Sequence, residues 1–228
     1  MLPPKTDTIC PMPTPFVLGV DLDGTCADFY NGLRPIAAEW LGVPQDSLTA
    51  EVSWDLPEWG VAQAPGGYPK LHHFAVTQRD LFRVLKPMPG APQALRRLSD
   101  MGVRIRIITH RLLIKNFHRV AVQQTVEWLD GHDIPYWDLC FLADKAAVGA
   151  DLYVEDSPRN VAQLRAEGHP TIVFTSPTNR HLPGPRADTW DDVLRLVVGK
   201  LRLPTVGGTG QKPPRTARRS ARSTRPRS

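Results

Sequence analysis

The chain has few cysteines, no long apolar run and no membrane-length segment, and each absence excludes a class of protein. Its three cysteines, Cys10, Cys26 and Cys140, are an odd number without a C-x-x-C pair. This pattern argues against a disulfide framework and against a cysteine-based zinc site. No apolar stretch approaches the roughly 20 residues of a membrane span, and residues 1–14 lack the apolar core of a signal peptide. We therefore expect a cytoplasmic protein without membrane association.

Acidic residues are missing from the last part of the chain, residues 203–228. This segment carries seven basic residues: Lys212, Arg215, Arg218, Arg219, Arg222, Arg225 and Arg227. The net charge of the whole chain is +5, so removing these seven charges leaves the remainder at about −2. The composition, rich in Pro, Gly, Ser, Thr and Arg, predicts a disordered basic tail. Such a tail either contacts nucleic acid weakly and without sequence specificity or only keeps the protein soluble.

Strand and helix patterns alternate over most of the remaining chain. Apolar, β-branched runs predict strands at 16–21, 103–109, 138–142, 151–155 and 171–174. Helical patterns lie between them at about 90–101, 117–130 and 158–167, with another at 191–200. This alternation predicts an α/β fold with a parallel sheet, in which ligands bind at the carboxyl ends of the strands.

One segment, residues 29–86, interrupts the alternation directly after the first strand. It combines helical pieces at about 30–41 and 78–85 with a loop rich in Trp, Pro and Gly, and we interpret it as a cap over the site. We thus expect an N-terminal extension (1–15), a core (16–28 and 87–202), this cap and the basic tail. The aromatic residues of the cap form its own small core or line a substrate pocket: Phe29, Tyr30, Trp40, Trp54, Trp59, Tyr68 and Phe74.

Two carboxylates end the first strand, in the sequence Asp21-Leu22-Asp23-Gly24-Thr25. Residues two apart in a strand point to the same side, and such close like charges are costly unless a cation or a reaction uses them. An ordinary Asp/Gly turn is the alternative. The placement suits a divalent metal, or a nucleophile beside an acid/base.

Further polar residues follow the other predicted strands. Thr109 ends the second strand, Lys145 begins a helical turn after the third, and Glu155-Asp156 end the fourth. Because the carboxyl ends of parallel strands converge, these residues can share one site with Asp21. Each of these residues also has an ordinary alternative interpretation. Thr109 could be a strand residue without a role in the site, Lys145 could be a surface lysine, and Glu155-Asp156 could cap the following helix.

This order of motifs resembles the haloacid dehalogenase superfamily of phosphohydrolases, over about residues 16–198. A closer resemblance is to the 5′(3′)-deoxyribonucleotidase branch, or type C 5′-nucleotidases. Three stretches carry it: Asp23-Gly24-Thr25-Cys26-Ala27-Asp28-Phe29, Pro87-Met88-Pro89-Gly90-Ala91 and Ala150-Asp151-Leu152-Tyr153-Val154-Glu155-Asp156. The chain departs from that branch at Thr25, where valine is frequent, and at His110-Arg111, where some members carry Ser-Pro. The resemblance implies a Rossmann-like three-layer fold with a central parallel sheet and a small, mainly helical cap after the first strand.

The resemblance also implies roles for the site residues. Asp21 is the expected nucleophile, which forms an aspartyl-phosphate, and Asp23 the expected acid/base. Lys145 and Thr109 are expected to hold the phosphoryl group and Asp21. Leu22 and Gly24 are expected at the phosphate, and His110, Arg111, Trp54 and Trp59 at the substrate. Mg²⁺ is the expected cofactor, held by Asp21, Asp23 (also through its backbone carbonyl), Asp156 and Glu155, the last directly or through water.

The leading hypothesis is a Mg²⁺-dependent phosphatase of small phosphomonoesters, with (deoxy)nucleoside monophosphates as the specific expectation. A phosphatase for a sugar phosphate or another phosphorylated metabolite is the alternative within enzymes. From a different class, the basic tail at 203–228 would make the protein a nucleic-acid-associated factor or an end phosphatase. The sequence does not indicate an oligomeric state.

Overall fold

A computed structural model describes residues 15–113 and 117–202. Its centre is a six-stranded sheet in the order β3-β2-β1-β4-β5-β6, with every neighbouring pair parallel. The strands are β1 (Val17–Val20), β2 (Arg104–Thr109), β3 (Asp138–Phe141), β4 (Leu152–Glu155), β5 (Thr171–Phe174) and β6 (Arg186–Ala187). The predicted Rossmann-like α/β fold with a central parallel sheet is confirmed.

In the described part of the chain, seven α-helices accompany the sheet: α1 (Phe29–Leu41), α2 (Gly67–Gln78), α3 (Leu81–Val84), α4 (Ala91–Asp100), α5 (His118–Gly131), α6 (Pro158–Ala166) and α7 (Trp190–Arg202). The helices α4 to α7 coincide with the predicted ones to within about two residues at each end. Their apolar faces cover the sheet, as on α4, where Ala91, Leu95 and Leu98 are buried. Among the residues described, no helix combines the length and the apolar character that crossing a membrane requires.

Most of the elements that the sequence pattern did not predict lie between β1 and β2. The helix α2 lies in a stretch predicted as loop, because two glycines at its start and Pro69 in its first turn mimic a turn signal. The helix predicted at about 78–85 is observed only as α3, since Asp80 adopts a left-handed conformation with φ +49°. The two-residue edge strand β6 was also not predicted.

The helices α1, α2 and α3 pack against one another, and α3 also packs against α5. Their buried side chains, such as Leu33, Leu71 and Phe82, belong to the same continuous apolar core as Leu18 and Ile105 of the sheet. These helices are therefore anchored to the sheet. Whether residues 29–86 form a separate cap remains a proposal from the sequence, as do the extension at 1–15 and the tail at 203–228; residues 1–14 and 203–228 lie outside the described chain.

Candidate active site

The strand order places three predicted site residues side by side. Because β1 is hydrogen-bonded to both β2 and β4, Asp21, Thr109 and Glu155 follow or end three adjacent strands at the same sheet edge. They line a cavity of about 250 Å³, together with Asp23 and Asp156. The topology thus brings together residues that are up to 135 positions apart in the sequence.

Three buried carboxylates form a cluster at the floor of this cavity. One oxygen from each of Asp21, Glu155 and Asp156 lies within 4.8 Å of the others. Lys145, itself buried, donates its Nζ hydrogens to Asp21 Oδ1 and, at 2.6 Å, to Glu155 Oε2. Asn179, which the sequence reading did not single out, donates from Nδ2 to the Asp156 carbonyl at 2.7 Å and so fixes the loop that carries this carboxylate.

The cluster holds more negative charge than Lys145 can neutralise. Burial raises the pKa of Asp21 to about 7, and the neighbouring Glu155 charge adds to the shift, while Lys145 opposes it. Burial, followed by the charges of Asp21 and Glu155, also raises the pKa of Asp156 well above its usual range. Although burial alone would lower the pKa of Lys145, the two carboxylates raise it above its ordinary value. The lysine therefore stays charged while the carboxylates compete for it.

The donor set fits a hard divalent cation. Asp156 Oδ2 is buried and lacks a hydrogen-bond partner within the described chain, which is costly unless a cation or ligand group completes it. Carboxylate oxygens are the ligands that Mg²⁺ prefers. The side chain of Asp23 is not part of the three-carboxylate cluster, and binding of the cation by its backbone carbonyl stays a prediction.

Asp23 is instead paired with Arg111. The guanidinium donates from Nε to Asp23 Oδ2 at 3.0 Å and from Nη2 to Oδ1 at 2.6 Å. Arg111 was predicted at the substrate, and the residue does line the cavity, but its side chain is inaccessible to solvent and the two donors that face Asp23 are already engaged. The neighbouring His110 also lines the cavity; it is partly buried, which lowers its pKa.

The remaining phosphate-site predictions concern Leu22, Gly24 and Thr109. Leu22 is fully buried in the apolar core, and its carbonyl accepts hydrogen bonds from the amides of Thr25, Cys26 and Ala27. Its side chain therefore does not reach the cavity. Gly24 has φ +88° and lies against the Asp156 carboxylate, and Thr109 is buried with its hydroxyl accepting from the Arg111 amide at 3.3 Å.

Aromatic side chains form the outer wall of the cavity. Of the aromatic residues of segment 29–86 singled out in the sequence, four line it: Phe29, Tyr30, Trp54 and Tyr68. Trp54 lies at the mouth, with 53% of its surface exposed. Trp59 corrects the prediction: it is buried away from the cavity, and its Nε1 donates to the Thr49 carbonyl at 2.8 Å, so it packs as a core residue.

Several further lining residues were not assigned to the site from the sequence, among them His72, Phe82 and Asn160. His72 is one turn from Tyr68 on α2, with the two ring centroids 5.5 Å apart. Because the sequence did not predict the helix α2, it did not indicate that Tyr68 and His72, four residues apart, lie on the same helix face. Asn160 is buried at the start of α6, where it lines the cavity.

Because His72 is buried, we expect the free energy of unfolding of the protein to depend on pH. Burial lowers its pKa from 6.5 to about 4, with the Asp23 charge acting in the opposite direction. Below pH 6.5 the unfolded chain therefore binds a proton at His72 that the folded chain does not bind. The free energy of unfolding is unaffected by this group above pH 6.5 and decreases as the pH falls toward 4. We expect this group to account for roughly 3 kcal/mol of lost stability.

Urea unfolding of the wild type and of His72→Gln between pH 7.5 and 4 measures this effect. The variant should lose less stability over the interval than the wild type. His118→Gln, which replaces an exposed histidine at the start of α5, is the matched control and should follow the wild type. Parallel pH profiles for the wild type and His72→Gln would contradict the prediction.

Comparison with known proteins identifies relatives along the whole described region. Residues 15–202 match the family described as 5′ nucleotidase, deoxy (Pyrimidine), cytosolic type C protein. A protein of Chlorobaculum tepidum named "Putative 5′(3′)-deoxyribonucleotidase" is 60% identical over 79% of this chain and 89% of its own length. The mitochondrial 5′(3′)-deoxyribonucleotidase of Mus musculus is 30% identical over 81% of this chain and 86% of its own.

Solved structures show the same fold at low sequence identity. A haloacid dehalogenase-like hydrolase from Streptococcus pneumoniae superposes with a TM-score of 0.56 at 15% identity, covering 82% of this chain and all of the other. A haloacid dehalogenase superfamily hydrolase from Geobacter sulfurreducens gives a TM-score of 0.52 at 17% identity, covering 80% and 96% of the two chains. These structures show that the chain shares the fold of haloacid dehalogenase-like hydrolases, and the family match over residues 15–202 together with the 60% identical relative shows that it belongs to the deoxy, cytosolic type C 5′-nucleotidase family.

Proposed function

We propose that this protein hydrolyses the phosphomonoester of a (deoxy)nucleoside monophosphate through an aspartyl-phosphate formed on Asp21. One observation carries the proposal: Asp21 lies in a buried carboxylate cluster, bound by Lys145, at the floor of an aromatic-walled cavity. The nucleophile Asp21 and the positive charge of Lys145 thereby lie where the phosphoryl group of a bound substrate would lie.

Each residue has a separate part in the proposed reaction. An Asp21 oxygen attacks phosphorus, and the bond from phosphorus to the ester oxygen breaks. Asp23 gives a proton to the departing oxygen, which leaves as an alcohol. Asp23 then takes a proton from the water that attacks the aspartyl-phosphate, which returns Asp21 and releases inorganic phosphate. Lys145, held between Asp21 and Glu155, offsets negative charge on the transferring group.

Mg²⁺ fits the same site. Asp21, Asp156 and Glu155 would hold it with their carboxylates, and Asp23 with its backbone carbonyl; Glu155 would act directly or through water. When bound, the ion would supply charge neutralisation for the phosphoryl oxygens. Asp156 Oδ2, which has no hydrogen-bond partner among the described residues, is the atom in this structure that supports this assignment.

The aromatic residues that line the cavity support the proposal that the substrate contains a planar group. Phe29, Tyr30, Tyr68 and Phe82 line the cavity, and the exposed Trp54 at the mouth can cover a stacked base. The names of the two relatives, a putative 5′(3′)-deoxyribonucleotidase and a mitochondrial 5′(3′)-deoxyribonucleotidase, point to the same substrate class. A sugar phosphate would use the phosphate floor but leave this aromatic wall uncovered.

Phosphate release from a substrate panel tests the proposal. The panel holds deoxy- and ribonucleoside 5′- and 3′-monophosphates, sugar phosphates and 4-nitrophenyl phosphate, each with Mg²⁺ or with a chelator. We expect the highest kcat/KM for a nucleotide and loss of turnover with the chelator. A sugar phosphate as the best substrate would overturn the nucleotide assignment, and absence of release from every compound would overturn the phosphatase itself.

Binding of the cation can be measured apart from catalysis. Mg²⁺ at ten times its dissociation constant should stabilise the folded wild type by roughly 1.4 kcal/mol, seen as a rise in Tm. Asp156→Asn should abolish this rise, because it removes one of the three clustered carboxylates. Asp46→Asn changes an exposed carboxylate far from the cluster in sequence and should keep it. A wild-type Tm that does not respond to Mg²⁺ would refute the assigned metal site.

A further inference from the structure

Arg111 carries a charge into the interior of the protein. Its side chain is fully inaccessible to solvent, whereas that of its partner Asp23 is 24% exposed. The two parallel contacts, from Nε and Nη2 to the two carboxylate oxygens of Asp23, form a fork that matches the plane of the carboxylate. A buried ion pair of this kind contributes little to the stability of a protein, so stability alone does not explain why the guanidinium is buried.

Further contacts fix the guanidinium itself. Its Nη1 donates to Thr125 Oγ1 at 3.1 Å, and the hydroxyl of Thr125 donates in turn to the Ala121 carbonyl at 2.6 Å. The ring of Phe82 lies below the guanidinium, with 4.1 Å between its centroid and the Arg111 Cζ. Helix α5 and helix α3 therefore determine where Arg111 lies, and Arg111 determines the orientation of Asp23.

We propose that Arg111 is a positioning residue for the acid/base Asp23, and that Thr125 orients Arg111 for this role. The inference rests on the proposed function. A carboxylate oxygen that accepts one hydrogen bond from the fork keeps a second lone pair, so Asp23 can still hold the transferred proton toward the ester oxygen. Free rotation of the carboxylate would spoil this alignment, which proton transfer requires.

The role of Arg111 predicts a dependence on the leaving group. An alkyl phosphate such as a nucleoside 5′-monophosphate needs a proton on its departing oxygen, whereas 4-nitrophenyl phosphate expels a stable anion without one. The quantity kcat/KM covers the steps up to departure of that group. Arg111→Lys retains the charge but not the fork. We expect it to reduce kcat/KM by about 100-fold for the nucleotide and by less than about tenfold for the aryl ester.

A direct contact between Arg111 and the substrate phosphate would give a different result. Both substrates carry the same phosphoryl group, so loss of such a contact would lower kcat/KM equally for the two. A general loss of active-site structure would also act equally on both. An equal reduction for the nucleotide and the aryl ester in Arg111→Lys therefore overturns the positioning role.

Thr125 offers a second test that leaves the ion pair in place. Thr125→Val removes the oxygen that accepts from Arg111 Nη1 and preserves the shape of the side chain. It should reduce kcat/KM for the nucleotide by about tenfold and affect the aryl ester less. Thr125→Ser retains the oxygen and should rescue the nucleotide reaction. If valine and serine behave alike, Thr125 does not orient Arg111.

The wild type separates failure of this inference from failure of the proposed function. A wild type that releases no phosphate from either compound refutes the proposed function. A wild type that turns over both compounds, combined with Arg111→Lys losses that are independent of the leaving group, refutes only the role of Arg111.

Discussion

Replacing Asp21 by asparagine lowers phosphate release by about 10⁵-fold or more, because no other group on the described cavity floor stands in the same place as the attacking oxygen. The neutral amide has nearly the shape of the carboxylate but cannot form the acyl phosphate. The measurement is single-turnover phosphate release with Mg²⁺ and the best nucleotide of the panel. Retention of more than about 1% of the wild-type rate would rule out Asp21 as the nucleophile.

The same variant tests the covalent intermediate. Acid-quenched wild-type protein, mixed with substrate labelled at the phosphate, should carry a label that hydroxylamine releases, as expected for an acyl phosphate on Asp21. Asp21→Asn should carry none. Asp28→Asn is the matched control: Asp28 lies in the same loop, but its carboxylate accepts from the Asn31 side chain and is not part of the cluster. It should become labelled like the wild type.

Loss of activity in Asp21→Asn should not come from unfolding. Asp21 shares its surroundings with Glu155 and Asp156, and burial already raises its pKa to about 7. Removing one of three crowded carboxylates relieves repulsion, and Lys145 keeps its bond to Glu155. The free energy of unfolding without Mg²⁺ should therefore stay within about 1 kcal/mol of the wild type, which urea unfolding measures.

Most of the floor of this site follows from the sequence, since it depends on backbone topology. An apolar run that ends in a carboxylate indicates a strand end, and the alternation of strands and helices indicates a parallel sheet. Together these two inferences predicted that Asp21, Thr109 and Glu155 lie along one edge of the sheet. Lys145 follows in the same way, at the start of the short 3-10 helix Lys145–Val148.

The walls of the site could not be predicted, because they depend on which side chains pair. Trp54 and Trp59 lie five residues apart in the same loop, yet one is exposed at the cavity mouth and the other is buried with its indole nitrogen on a carbonyl. Nothing in the local pattern separates them. The partnership of Asp23 with Arg111 likewise spans 88 residues, and a carboxylate at a strand end does not specify which cation it meets.

Gly24→Ala should inactivate the protein through Asp156. Gly24 has φ +88°, which strains any residue with a Cβ, and the added Cβ would overlap Asp156 Oδ2 and lie 2.6 Å from its Cγ. Asp156 is buried and belongs to the carboxylate cluster, so moving away from the added Cβ takes its carboxylate out of the position at which it completes that cluster. We expect kcat/KM to fall by about 100-fold or more, together with loss of the Mg²⁺-dependent rise in Tm.

Gly42→Ala separates the effect of backbone strain at positive φ from the effect of the contact between the added Cβ and Asp156. Gly42 ends α1 with φ +70°, close to the value of Gly24, but an added Cβ would meet no atom of residues 15–113 and 117–202 within 4 Å. Both variants should therefore lose roughly 1–3 kcal/mol of stability from backbone strain, whereas only Gly24→Ala displaces Asp156. Equal activity in the two variants at a temperature where both are folded would show that strain alone matters, and that the contact of Gly24 with Asp156 has no part in catalysis.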